Sequence, residues 1–227
     1  MAVKPMTDES GSKNGRRDAS LEPPTGDTTR TLTGRGRNAV ARILASAIEI
    51  FAAEGYGGLS MRKVAASAGL SLSNLQHYFP TREDLFVALI TEATAEYSRN
   101  YDNILRTDAS LTPAQRLEKL VRLLIEDGKQ PRIQGLFVNF WALAQMQEFA
   151  RKSMEDAYLF QRRMISGFVA AVNPQLSPSV LARRAALITG QIEGLLVLIP
   201  QRNRFPSDIK GIEDEAVKAI LTVATMP

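Results

Sequence analysis

Apolar side chains recur at intervals of three and four from residue 37 to the end of this 227-residue chain, the period of helices that bury one face. Ile43, Leu44, Ala47, Ile50 and Phe51 form one such stripe on a predicted helix over residues 37–55, which the Gly55-Tyr56-Gly57-Gly58 turn ends. Two much shorter helices follow over residues 60–79. Ser60 can cap the first, whose stripe is Met61, Val64, Ala65 and Ala68. Gly69 supplies the left-handed conformation that terminates a helix without Cβ strain, and Ser71 caps the next helix two residues later. Leu75, Tyr78 and Phe79 hold that helix down, while Ser73, Asn74, Gln76 and His77 place short polar groups on its other faces. A core for this three-helix unit is expected from Ile43, Ala47, Phe51, Val64, Leu70, Leu75 and Phe79.

The helical pattern continues. Thr81 and Asp84 resemble a capping box, with Asp where Glu or Gln is usual, and a long helix is expected from Arg82 to about Thr107. Thr112-Pro113-Ala114-Gln115 starts another, with Leu117, Leu120, Val121, Leu124 and Ile125 as its buried stripe and an end near Gly128. Further helices are predicted over 132–149, 151–172, from Ser177-Pro178 to Ile199, and over 207–225. With no strand-rich region and no repeat, the fold class is all-α: an N-terminal three-helix DNA-binding head with a helix-turn-helix, and a larger C-terminal helical body. The divisions expected are a disordered basic tail over 1–36, a helix-turn-helix domain over 37–84, and a larger helical domain over 85–227.

Composition narrows the chemistry. Cysteine is absent and His77 is the one histidine, which removes disulfides, thiolate nucleophiles, thiolate metal sites and multi-histidine metal sites. No nucleophile motif or phosphate-binding loop is present, so an enzyme is not expected, nor is a metal or cofactor. Net charge is +4, which is compatible with an anionic partner. No run approaches the roughly 18 apolar residues of a membrane span, and the polar N-terminus is not a secretory signal, so a cytoplasmic location is expected.

Two short helices joined by a tight turn form the helix-turn-helix pattern, whose second helix enters the major groove. Asn and Gln can each bond two edges of adenine, and Ser and His can bond bases or phosphates. The residues assigned to DNA are Arg37, Ser60, Arg62, Ser71, Leu72, Ser73, Asn74, Gln76, His77, Tyr78 and Arg82. Arg35 and Arg37 read as a basic arm beside the first helix, and Arg82 as a phosphate contact at the start of the long one. The alternative is a protein that binds DNA without sequence preference, as an architectural or interaction module.

Residues 38–90 resemble the DNA-binding domain of the TetR family of bacterial regulators. The likeness runs through Ile43-Leu44-Ala45-Ser46-Ala47, Phe51-Ala52-Ala53-Glu54-Gly55-Tyr56, Leu59-Ser60-Met61-Arg62-Lys63-Val64-Ala65, Ala68-Gly69-Leu70-Ser71 and Leu75-Gln76-His77-Tyr78-Phe79-Pro80-Thr81-Arg82-Glu83-Asp84-Leu85. The family often carries Tyr at the Gln76 position, Gly or Thr at that of Asn74 and Lys at that of Arg82, so base preference does not transfer. The resemblance implies a repressor released from a palindromic double-stranded DNA operator by a small-molecule effector of unspecified chemistry. It also implies a homodimer formed through the last two long helices. Ile188, Ile192, Leu195 and Leu196, on a helix apolar around much of its circumference, are the candidate interface. Phe137, Phe140, Trp141, Met146, Phe160, Met164 and Phe168 are the candidate pocket lining, with Asn139 and Gln191 as polar groups set within apolar stretches.

Overall fold

The computed structural model describes residues 34–107, 110–199 and 203–227. Among them are nine α-helices and one short 3-10 turn, with no strand. The expected tail falls, through residue 33, outside the described residues.

The first helix, α1 (Gly34–Gly58), starts earlier than its apolar stripe. Arg35 and Arg37 therefore sit within its first turns rather than on an arm before it. It bends at Gly55, whose φ of 65° lies outside the helical region. Next come α2 (Met61–Ser67) and α3 (Leu72–Tyr78). The Ser60 and Ser71 hydroxyls accept the backbone N–H groups of Lys63 and Asn74, each at 3.2 Å. Gly69 takes φ 66°, and the following N–H, of Leu70, closes back onto Ala65 O at 2.9 Å. The Thr81–Asp84 box is formed in both directions, at 3.0 and 3.1 Å, and opens α4 (Arg82–Thr107).

Thr112 and Gln115 cap α5 (Pro113–Gly128) reciprocally, as the sequence predicts. The next helix, α6 (Pro131–Met146), stops three residues short of the expected 149, because Gln147 is extended and begins α7 (Glu148–Val172). α8 (Pro178–Leu196) loosens into a turn before Ile199. The expected 207–225 helix divides: Ser207–Ile209 is a 3-10 turn, Gly211 takes φ 92°, and α9 spans Ile212–Thr225.

Two cores result. One gathers α1 to α4, but Leu136, Phe140 and Ala144 of α6 and Ala150 of α7 complete it. The head is thus built onto the body rather than closed on itself. Of its expected core, Leu70 is only half-buried; the other six are buried. The second core joins α5, α7, α8 and α9. Phe86 of α4 links the layers, with ring centroids 5.2 Å from Phe51, 5.9 Å from Phe140 and 5.4 Å from Phe149.

The α1–α6 crossing is a backbone-to-backbone contact. A Cβ on Gly135 would lie 2.2 Å from the carbonyl oxygen of Ala52. One turn on, Asn139 Nδ2 donates to the carbonyls of Phe51 and Ala52 at 3.0 and 3.1 Å. Both carbonyls lie within one turn before the Gly55 bend, so the Asn139 amide is engaged at the α1–α6 junction rather than free for a ligand. Gln191, the other polar candidate, is exposed.

Gly135→Ala is expected to destabilise the fold by about 1–3 kcal/mol through overpacking. Gly167→Ala, in mid-helix with open space around it, should be neutral or stabilising by up to about 1 kcal/mol. Urea midpoints of the two variants check this; equal effects would contradict the close crossing.

Candidate DNA interface and effector cavity

The α3 helix is anchored by Leu75, which is fully buried, and by Phe79 just beyond its end. That leaves Ser73, Asn74, Gln76 and His77 exposed along the opposite side, with Leu72 and Tyr78 half-buried at the edges. His77 meets Tyr78 edge-on, with centroids 5.3 Å apart. Ser60, Arg62 and Ser71 are exposed close by, and the two serines also carry the caps. Arg37 is exposed on α1, a helix that packs along α2.

Arg82 is not a loose surface cation. Its guanidinium carbon sits 3.9 Å from the Tyr56 ring centroid, and the Tyr56 hydroxyl donates to Glu83 Oε1 at 2.9 Å. The hydrogen bonds of its own helix-start backbone, then that of Tyr56, hold the Glu83 carboxyl below its ordinary pKa. Arg42 was missed from the sequence. Its Nη1 lies 3.8 Å from where a Cβ would stand on Gly69, which places a cation beside the α2–α3 turn. Its position beside Ile43, at the start of the apolar stripe, was the available signal.

A cavity of about 90 Å³ lies among α4, α5, α6, α7 and α8. Phe137, Phe140, Phe160 and Met164 line it, as expected. The other three candidates do not. Met146 ends α6 with 77% of its surface exposed, Phe168 is committed to the second core, and Trp141 stands one layer back. From there Trp141 Nε1–H donates to the Tyr158 oxygen at 2.6 Å, and the Tyr158 hydroxyl donates to Glu193 Oε2 at 2.6 Å. Ile192 and Leu196, expected at a dimer interface, line this cavity instead. Ile188 and Leu195 are buried in the chain's own second core, so none of the four is free to meet another subunit. The outward face of α8 and the turn after it carries Leu187, Gly190, Gly194 and Leu198.

Glu193 is the polar feature that sequence reasoning missed. It is the one acid inside the apolar run Gln191-Ile192-Glu193-Gly194-Leu195, and that isolation was its signal. Its Oε1 is buried with no hydrogen-bond partner. Burial pushes the carboxyl up to about 7, against the opposing pull of Tyr158 and the nearby Gln161 amide. Burial and the adjoining acid likewise raise the Tyr158 hydroxyl. Among the described residues, no cluster of three or more acids or histidines could hold a metal, and no helix is long and apolar enough to cross a membrane.

A capped helix-turn-helix joined to a helical body with an internal apolar cavity defines a helix-turn-helix transcriptional regulator. Residues 43–89 match the family model for bacterial regulatory proteins of the tetR family. An uncharacterized HTH-type transcriptional regulator from Xanthobacter autotrophicus is 30% identical over 164 residues, 69% of this chain and 77% of that protein. The HTH-type transcriptional regulator BetI of Rhizobium meliloti is 24% identical over 153 residues, 67% of this chain and 73% of its own. The chain belongs to the TetR family. The fold agrees: a Mesorhizobium loti structure described as a TetR-family transcriptional regulator superposes with a TM-score of 0.67 at 20% identity, covering 85% of this chain and 98% of that one. A Saccharomonospora viridis structure, described as a transcriptional regulator in complex with choline, gives 0.62 at 17% identity over 81% and 94%.

The raised Glu193 pKa has a consequence for stability. The folded chain keeps this proton up to about pH 7, whereas the unfolded chain releases it near 4.5. Between those values the folded state holds the extra proton, so this group's contribution to stability falls as pH rises. Glu193→Gln cannot ionise and should flatten the fall. Urea midpoints for both proteins at about pH 5 and about pH 7.5 check it; identical slopes would contradict it.

Proposed function

We propose that this TetR-family regulator binds a palindromic operator as a homodimer and represses transcription until a small effector occupies the cavity. In this reading α3 enters the major groove, with Asn74 and Gln76 on base edges and Ser73 and His77 on bases or phosphates. Arg37, Ser60, Arg62, Ser71 and Arg82, with Leu72 and Tyr78 at the groove wall, fix the register on the backbone. The Tyr56 ring holds the Arg82 guanidinium on one face, so little side-chain freedom is lost when its N–H groups meet a phosphate. The second subunit docks through Leu187, Gly190, Gly194 and Leu198, where the two glycines permit close approach. The two α3 helices then lie about 34 Å apart, one DNA turn.

The observation that supports effector control is the position of Phe140. It lines the cavity and also packs on Phe86 of α4, the helix that begins at Arg82. Phe86 in turn packs on Phe51 of α1. A ligand that displaces Phe140 tilts α4 and α1 together and changes the separation of the two heads. Its effect equals its differential affinity for the two arrangements.

Selection of bound sites from a random DNA pool tests the reading. It should return a palindrome bound roughly a thousand times or more tightly than random DNA. Steep salt dependence without that ratio would instead mark a binder with no sequence preference. On the selected site, Asn74→Ala and Gln76→Ala should each cost about 1–3 kcal/mol and relax preference at particular bases. Arg82→Ala should weaken all sequences alike and lower the salt slope by about one. Equal losses on every sequence for all three variants would remove base readout.

A further inference from the structure

We infer that the cavity selects a small organic monocation with a methylated, weakly hydrated ammonium head, paired with Glu193. The inference rests on the effector-pocket reading above and assigns its ligand class. Glu193 lines a largely apolar cavity, and its buried Oε1 has no hydrogen-bond partner. A buried carboxylate without a counter-charge is costly, and a ligand cation removes that cost. Phe137, Phe140, Phe160 and Tyr158 line the same cavity, and aromatic rings attract a desolvated cation.

The alternatives fit less well. A metal ion needs several oxygen ligands, and the wall supplies a single carboxylate. A primary ammonium carries three donors and a tight hydration shell, and beyond Thr94, Tyr158, Gln161 and Glu193 the wall is apolar, which favours a weakly hydrated head. An uncharged ligand leaves the Glu193 oxygen dependent on holding its own proton.

Binding should be linked to a proton. The groups that bear on Glu193 are the Tyr158 hydroxyl and the Gln161 amide of α7, with Trp141 of α6 behind Tyr158. From α4 and α5 the cavity receives Ile90, Ala93, Thr94, Leu124 and Gly128, none of them titratable. A cation therefore displaces the proton of Glu193 itself. Below about pH 7 its affinity falls towards tenfold per pH unit, while that of an uncharged ligand does not.

The test is calorimetric titration of the full chain with choline, a compact trimethylammonium, and with its uncharged carbon twin 3,3-dimethylbutan-1-ol. Choline should bind at least tenfold more tightly near pH 8, release a proton near pH 6, and lose affinity between them; the alcohol should do neither. In Glu193→Gln, with a fold verified by circular dichroism, the preference should vanish. Equal or tighter binding of the alcohol, a preference that survives Glu193→Gln, a pH-independent choline affinity, or no binding of either at millimolar concentration would each overturn the inference. Operator affinity is measured separately on the same samples. Choline that binds with this preference but leaves operator affinity unchanged sinks the release mechanism and leaves the cation site standing. Release by the alcohol without a cation preference does the reverse.

Discussion

The crossing of α1 and α6 constrains everything else in the molecule. Gly135 lets the two backbones touch, and Asn139 donates to the carbonyls of Phe51 and Ala52 beside the Gly55 bend. Neither contact can slide: a Cβ would collide, and two carbonyls away from water would lose their donor. Phe137 of α6 lines the cavity, and Leu136 and Phe140 belong both to the cavity wall and to the head core. A single helix thus grips the head and forms part of the cavity wall.

Charge is deployed unevenly around this frame. The surface pairs Lys63–Glu54, Arg122–Glu118 and Arg151–Glu148 are all well exposed, so each contributes little to stability. Glu193 sits where water does not help it, and there burial dominates over its two hydrogen-bonding neighbours. The hydrogen-bonded line from Trp141 through Tyr158 ends on one oxygen of that acid and leaves the other buried without a partner.

The head was legible in the sequence because its determinants are local. Ser60, Gly69, Ser71, Thr81 and Asp84 act within three or four residues of themselves, and each makes the cap or turn its type predicts. The junction was not legible. Asn139 serves carbonyls some 88 positions away, beside a bend that the glycine-rich turn marked only as a helix end. The choice of interface residues on α8 went wrong for a related reason. Ile188, Ile192, Leu195 and Leu196 are its most apolar positions, and the chain buries those in itself. What α8 leaves outside is a mixture of leucine and glycine that hydrophobicity alone does not single out. Arg82 was placed correctly at the start of α4, but its stacking on Tyr56 depends on how two helices meet.

The shared core has a bearing on modular engineering. Leu136, Phe140, Ala144 and Ala150 belong to the same packed cluster as the DNA-reading helices. A chimera that grafts this regulator's first four helices onto a foreign body would join an apolar surface shaped for this α6 to one shaped for another. Transplanted specificity would have to travel with the matching face of α6, including the glycine and the asparagine that seat it.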